Sequence, residues 1–268
     1  MFCLIFTMPI RLLDYFRVKD WLHILGIPTL GFVYNSNFNL LSAEFVSILL
    51  LSSLGLAFGY SFDANYNKFK SKSKLLPSLM PLIAGLIYAS FLNAAIFLLS
   101  VIAALIMTAY VIPPFRFKGI PILVTISNSA GFSLLFLVGY AILSNLNADA
   151  LLLAIFIGIA AFPIQLVHEI AHFSRDKKNG LITTPIKFGK KFTYSIILIS
   201  LILLVVWSSL LYIYLNYSIL FAVFSATFSL IFALIMKHEA NALKSRIYIK
   251  YLSIVFGLSL LFIFLFKI

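Results

Sequence analysis

The chain of 268 residues carries its most chemically suggestive pattern within residues 167–185. His168, Glu169 and His172 form an H-E-x-x-H sequence, and this spacing places both imidazoles on one face of a helix, as a zinc site requires. A third protein ligand would still be needed, and Glu239 is the one distant glutamate predicted at the same membrane face. An intramembrane zinc metalloprotease is therefore one hypothesis.

A second hypothesis uses the acidic residues at the ends of two apolar segments. Asp63 follows one such segment, and Glu169 and Asp176 follow another. An even number of crossings separates the two segments, so both acidic ends are predicted at the same membrane face. Magnesium prefers oxygen ligands and often binds a few carboxylates together with a substrate phosphate. The acids therefore predict a metal-diphosphate site, unless they only pair with neighbouring lysines.

The composition shows what kind of scaffold must position these residues. The chain is 63% hydrophobic and only 10% charged, whereas a soluble domain has roughly 25% charged residues. We therefore predict an all-α, polytopic membrane protein with a single domain, residues 1–268, built around a central cavity. Pro28 and Gly31 predict that the first span is irregular. The apolar runs predict about nine spans, at 21–36, 41–60, 77–93, 95–112, 120–143, 149–169, 192–213, 217–236 and 249–267.

The basic residues lie on one side of this predicted topology. Every Lys and Arg except Lys267 falls before span one or after spans two, four, six and eight. The positive-inside rule makes that side cytoplasmic, together with the N-terminus. The net charge of +12 therefore reflects topology and contact with membrane lipid, not a nucleic-acid partner. We expect the protein in the cell (plasma) membrane, with a cavity that opens towards the cytoplasm.

Three stretches make the chain similar to the UbiA superfamily of intramembrane prenyltransferases. Residues 110–118, YVIPPFRFK, resemble the family's Y-S-P-P-x-R-x-K segment. Residues 169–184 resemble its second motif, E-x-x-D-x-x-x-D-x-x-x-G-x-x-T, and residues 59–67 lie at the place of N-D-x-x-D-x-x-x-D. Asp63 and Asp176 match family aspartates. The other aspartate positions are held by Tyr60, Asn67 and His172.

This resemblance implies an enzyme that transfers a prenyl group from a polyprenyl diphosphate to a lipophilic or aromatic acceptor. Mg²⁺ is the implied cofactor, and Asp63 and Asp176 are the implied catalytic residues. A non-catalytic isoprenoid- or lipid-binding relative is the alternative that the missing aspartates leave open. The implied metal ligands are Asp63, Asn67, Glu169, His172 and Asp176, and the implied diphosphate-binding residues are Arg116, Lys118, Lys74 and Lys177.

Overall fold

A computed structural model describes residues 12–35, 42–66, 75–215, 217–239 and 241–266. Within those ranges every regular element is helical, which confirms the predicted all-α class. Seven of the helices are long and apolar enough to cross a membrane. We number the helices α1 (Gly26–Asn35), α2 (Ala43–Tyr66), α3 (Leu76–Leu92), α4 (Ala94–Val111), α5 (Leu123–Ala141), α6 (Ala148–Ala171), α7 (Phe173–Lys178), α8 (Thr184–Leu215), α9 (Ile219–His238) and α10 (Ala242–Phe266).

The first predicted span is irregular, but its irregular part precedes Pro28 and Gly31, which both lie in the regular helix α1. The chain there forms a single α-turn, Val18–Trp21, and a 3₁₀ turn, Leu22–Leu25, before the ten residues of α1. Pro28 lies in the first turn of α1, where its missing N–H removes no intrahelical hydrogen bond. Regular α-helix therefore begins only at Gly26, five residues into the predicted span 21–36.

Three other helices extend further towards the basic side than the apolar runs predicted. Helix α2 continues to Tyr66 and so includes Asp63, α8 begins at Thr184, and α10 begins at Ala242 instead of residue 249. Helix α8 is interrupted at Gly189, whose φ of 84° is left-handed. Backbone hydrogen bonds continue through polar residues, so hydropathy marks where a helix becomes polar rather than where it ends.

The helices close into a ring around a cavity. Neighbours in the chain pack against each other, α5 packs on both α1 and α6, and α10 returns to pack on α1 and α6. Helices α1 and α5 touch through their backbones, because a Cβ on Gly31 would lie 2.1 Å from the Phe136 carbonyl oxygen and one on Gly139 would lie 2.0 Å from that of Pro28. Small residues of this kind allow close helix packing in membranes.

Candidate active site

A large cavity of about 1530 Å³ lies inside the ring of helices. Its mouth is charged, since Asp63, Lys118 and Asp176 all line it. Its deeper wall is apolar and comes from α2, α3, α4, α5, α6 and α10; Leu82 and Leu134 are typical lining residues. A cavity with this polarity suits a ligand that has an anionic head and a hydrocarbon tail.

Lys118 crosses the mouth of the cavity to reach Asp63. Its Nζ donates a hydrogen bond of 2.6 Å to Asp63 Oδ1, and the Lys118 side chain is only 9% exposed whereas that of Asp63 is 34% exposed. Arg116 adopts a left-handed conformation, with φ of 40°, immediately before the 3₁₀ turn Phe117–Gly119. That turn carries Lys118 inward, while Arg116 is exposed and also lines the cavity.

Asp176 lies on α7, a short helix that the sequence analysis did not predict. Its Oδ1 is 3.4 Å from Nε of Arg175. Burial raises the pKa of Asp176, and the positive charge of Arg175 opposes that rise. The charges of Asp63 and Lys118 also act on Asp176. The two acids from distant parts of the chain therefore lie at one mouth.

Glu169 has both carboxylate oxygens engaged by the protein. The Thr125 hydroxyl donates to Oε1, and the Thr184 backbone N–H donates to Oε2 at 2.9 Å. The Thr184 hydroxyl in turn accepts a hydrogen bond of 2.9 Å from the Ile122 backbone N–H. Glu169 thus joins the beginning of α5 to the beginning of α8. We call this arrangement of Thr125, Glu169 and Thr184 the Glu169 bridge.

His172 ends α6 and faces Arg246 on α10. The Arg246 Nη1 lies 2.9 Å from His172 Nε2. Burial, together with the charges of Arg175 and Arg246, lowers the pKa of His172 to about 4. The imidazole is therefore neutral at pH 7, and its Nε2 accepts the hydrogen bond because a guanidinium can only donate.

The zinc hypothesis gains no support from this geometry. The His168 and His172 rings are adjacent, with centroids 4.5 Å apart. Among the described residues, however, no third His, Cys, Asp or Glu joins them in a group that could hold a metal. Glu239, the proposed third ligand, instead accepts a hydrogen bond of 2.9 Å from the Asn241 backbone N–H and does not line the cavity.

Of the remaining predicted site residues, one lies away from the cavity and two fall outside the described residues. Lys177 is exposed on α7 and is not part of the cavity wall. Asn67 and Lys74 lie outside the described residues.

Several cavity residues were not predicted as part of a site. Arg175 and Arg246 had been interpreted only as topology signals, although both line the mouth. Tyr110 lines it too, and the charges of Asp63, Glu169 and Asp176 all act on its hydroxyl. Thr183 is 2% exposed, lines the cavity and, within the described chain, has no hydrogen-bond partner for its hydroxyl. The R-x-x-x-K spacing of Arg246 and Lys250 gave no recognisable signal.

Comparison with known proteins decides the family. The model of the UbiA prenyltransferase family matches residues 67–255. The chain belongs to the UbiA prenyltransferase family. The UbiA match includes the PPFRFK segment and the second acidic motif, so the predicted resemblance is confirmed. Comparison with curated proteins gives no significant match.

Solved structures of UbiA proteins share the fold over almost the whole chain. A UbiA homolog from Archaeoglobus fulgidus bound to DMAPP and Mg²⁺ is 21% identical, with a TM-score of 0.74 over 93% of this chain and 98% of the homolog. The same homolog bound to GPP and Mg²⁺ gives a TM-score of 0.73 at 21% identity, over 93% and 99% of the two chains. A digeranylgeranylglyceryl phosphate synthase is also 21% identical, with a TM-score of 0.72 over 95% and 97% of the chains. The protein is thus an integral, multi-pass membrane protein with the UbiA fold.

Proposed function

We propose that the protein transfers a prenyl group from a polyprenyl diphosphate to a small lipophilic or aromatic acceptor. One observation carries the proposal. Asp63, Lys118 and Asp176 come from three separate motif segments and converge on the mouth of one cavity whose deeper wall is apolar. The match to the UbiA prenyltransferase family and the GPP and DMAPP bound by the Archaeoglobus homolog support the same class of donor.

The donor would lie with its diphosphate at the mouth and its tail in the apolar part of the cavity. Lys118 and Arg116 would neutralise the diphosphate, and Arg175 adds a third cation beside Asp176. Since Lys177 points away from the cavity wall, we leave it out of the proposed donor site. The tail would replace water or lipid along the leucine-lined wall, which favours long isoprenoid chains through burial of apolar surface.

The residues at the mouth fit a magnesium ion. Mg²⁺ is commonly held by one or two carboxylates together with substrate phosphate and water, and Asp63 and Asp176 supply two such groups. The unpartnered, buried hydroxyl of Thr183 offers a further oxygen in the same wall. When bound, the ion would offset the charge of the leaving diphosphate. The predicted ligand Glu169 already accepts two hydrogen bonds, so we propose that it positions the site instead.

The remaining chemistry would belong to the side chains and substrates. The allylic C–O bond breaks and its electron pair leaves with the diphosphate, which Lys118 and Arg116 stabilise as its charge grows. The acceptor nucleophile then forms the new bond to the allylic carbon and loses a proton. Tyr110 and Tyr60 line the cavity close to the charged mouth, where an aromatic face would stabilise the cation-like carbon.

We also propose that the charged mouth faces the cytoplasm. It is formed by the segments that carry nearly all the basic residues, which the positive-inside rule places inside. A soluble diphosphate product would then be released to the cytoplasm, and the prenylated product would stay in the membrane. The cell (plasma) membrane remains our proposed location.

A non-catalytic lipid-binding relative is the second candidate, and one observation favours it. Both retained aspartates already have cationic partners, with Asp63 paired to Lys118 and Asp176 to Arg175. Side-chain cations that neutralise these acids could hold an isoprenoid diphosphate without ionising it. The two candidates predict the same binding and differ only in turnover.

Release of diphosphate separates them. Purified protein in lipid nanodiscs is given polyprenyl diphosphates of several lengths, with magnesium, manganese or zinc added in turn and a mixture of lipophilic and aromatic acceptors. A prenyltransferase releases diphosphate and forms a prenylated product, and Asp63→Asn and Asp176→Asn each remove the activity. Tight donor binding without any release, under every metal, would instead identify a lipid-binding protein.

A further inference from the structure

Small residues form the part of the cavity wall that lies directly below Asp63 on α2. Gly59, Gly55 and Ser52 all line the cavity. They follow Asp63 at intervals of four, four and three positions, so they share one face of the helix with it. Gly55 is exposed, and a Cβ there would meet no neighbouring atom of the described chain within 4 Å. We call the space along Gly59, Gly55 and Ser52 the α2 slot.

Helix α4 forms a second wall of the α2 slot. Below Tyr110, the residues Met107, Ala103 and Ser100 line the cavity at intervals of three, four and three positions. The two walls meet near the mouth, because the Met107 sulfur lies 3.5 Å from the place that a Cβ of Gly59 would take. Helix α3 packs against both α2 and α4. The slot therefore descends from the charged mouth between two helices that run in the same direction.

The α2 slot ends where these three helices pack together. One turn below Ser52 and Ser100, Ile48 on α2 and Ile96 on α4 are fully buried and do not line the cavity. Ala89 on α3 is fully buried as well, and it belongs to the same apolar core as both isoleucines. The level of the two serines is therefore the bottom of the slot.

The hydroxyl of Ser52 indicates that this end of the slot is built for contact with a ligand. The Ser52 residue is 2% exposed, and among the described residues its hydroxyl has no hydrogen-bond partner. Buried hydroxyls normally have a partner. Since Ser52 lines the cavity, its side chain is free to contact an occupant of the slot.

The depth of the α2 slot corresponds to a definite length of hydrocarbon. Asp63 and Ser52 are eleven residues apart, which is about 16 Å along a helix, and the ten residues from Tyr110 to Ser100 give about 15 Å. An isoprene unit adds four carbons to the main chain of the tail and extends it by about 5 Å, with carbon–carbon bonds of about 1.5 Å. The slot therefore takes about three isoprene units, the length of a farnesyl chain.

We propose that the α2 slot holds the tail of the prenyl diphosphate and limits it to the farnesyl length. This inference rests on the proposed function, because the diphosphate must be held beside Asp63 at the top of the slot. Burial of apolar surface favours a longer tail only as far as Ser52. A fourth isoprene unit would have to separate α2 from α4, which a close-packed interior resists. Gly55 and Ser52 are then residues that determine donor specificity.

Calorimetric titration of the protein in nanodiscs with Mg²⁺ tests the length limit. The probes are thio analogues of geranyl, farnesyl and geranylgeranyl diphosphate, in which sulfur replaces the oxygen on the allylic carbon and slows its ionisation. The wild type should bind the farnesyl analogue most tightly, and the geranylgeranyl analogue about tenfold or more weakly than the farnesyl one. Longer tails partition more strongly into the bilayer, so a tail that lay in the membrane would give the opposite order.

Gly55→Leu should shorten the slot. The added side chain has space, because no neighbouring atom of the described chain lies within 4 Å of a Cβ at Gly55. It would fill the slot about 12 Å below Asp63. The farnesyl analogue should then bind about tenfold or more weakly than it binds the wild type. The geranyl analogue should stay within about threefold, because two isoprene units end above Gly55. Each affinity is compared with that of the wild type for the same analogue, so partition into the bilayer cancels.

Gly257→Leu is the matched control. Gly257 lines the same cavity from α10, and a Cβ there also meets no neighbouring atom of the described chain within 4 Å. The same side chain is thus added with similar space on a different wall, and Gly257→Leu should keep the wild-type order of affinities. If Gly257→Leu weakens the farnesyl analogue and Gly55→Leu does not, the tail lies along α10 and the inference is overturned.

The wild-type series gives a result that does not depend on the folding of any variant. Binding of the geranylgeranyl analogue as tightly as the farnesyl one would overturn the inference. Diphosphate release from all three oxygen donors with equal kcat/KM would do the same while supporting the proposed function. Preferential binding of the farnesyl analogue without release of diphosphate from farnesyl diphosphate would support the length limit and refute the proposed transfer.

Discussion

Replacing Lys118 by methionine gives the sharpest test of the donor site. Methionine keeps most of the length and apolar volume of the side chain but removes the ammonium group that lies 2.6 Å from Asp63 Oδ1. If Lys118 binds the diphosphate, its removal loses a charge-assisted hydrogen bond worth about 1.5–3 kcal/mol. The prenyl diphosphate should then bind about 10- to 150-fold more weakly. Because Lys118 must first leave Asp63, we expect the lower end of that range, about 10- to 30-fold.

The same substitution should have the opposite effect on the metal. Asp63 loses its cationic partner in Lys118→Met, so its carboxylate becomes a better ligand and Mg²⁺ alone should bind more tightly. Titration calorimetry with Mg²⁺ alone and with GPP plus Mg²⁺ measures both effects. Lys178→Met is the control, since Lys178 is an exposed lysine outside the cavity wall. Exposed charges contribute little, so it should change either affinity by less than about threefold.

Two results would refute this reasoning. If Lys118→Met binds GPP as well as the wild type does, Lys118 only neutralises Asp63 and does not contact the donor. If Lys118→Met binds GPP more tightly than the wild type does, the Lys118–Asp63 ion pair competes with GPP and closes the mouth of the cavity. A lower melting temperature alone would decide neither point, so affinity is compared at a temperature where both variants are folded.

Three further predictions concern other parts of the site. Glu169→Ala leaves the Thr125 hydroxyl and the Thr184 N–H without a partner, so the free energy of unfolding should fall by about 1–3 kcal/mol for each buried donor left unpaired. Glu169→Gln should lower it less. A Gln variant that is fully stable but inactive in a diphosphate-release assay would identify Glu169 as a metal ligand instead. Arg175→Gln should move the acid limb of the kcat/KM profile to higher pH. Burial raises the pKa of Asp176 and Arg175 opposes that rise, so without Arg175 the ionised form of Asp176 is lost at a higher pH. An unchanged acid limb would show that Asp176 need not be ionised. In a Cys3→Ser background, Ser174→Cys should react with a membrane-impermeant maleimide only in inside-out vesicles and Asn145→Cys only in intact cells, and the reverse pattern would contradict a cytoplasmic mouth.

The sequence predicted the scaffold well because membrane helices have a strong signal. Apolar runs located α2 to α6 and α8 to α10, since a bilayer requires long unbroken apolar segments. It also placed Asp63 and Asp176 at one membrane face by counting crossings. Helix ends were less accurate, because α10 continues as helix through charged residues that lie in a polar cavity mouth rather than in a loop.

That error at α10 explains why part of the site was missed. With a helix start at residue 249, Arg246 appeared to belong to a connecting loop, and its charge was explained by topology alone. In the structure Arg246 lies on the first turns of α10 and faces His172. A hydropathy pattern cannot distinguish a cation in a cytoplasmic loop from one in a polar cavity, because both are followed by the same apolar run. Only the packing of α10 against α1 and α6 separates them.

The Glu169 bridge changes how acidic motifs in such chains should be counted. An acid that matches a motif position is easily taken as a contributor of negative charge to the bound ion, yet Glu169 gives both of its oxygens to backbone and hydroxyl donors. Its carboxylate holds the beginning of α5 and the beginning of α8 together at the cavity mouth. We expect the loss of such a residue in a related chain to loosen the packing of the two helix starts, so an acid in a motif is not a metal ligand by its position alone.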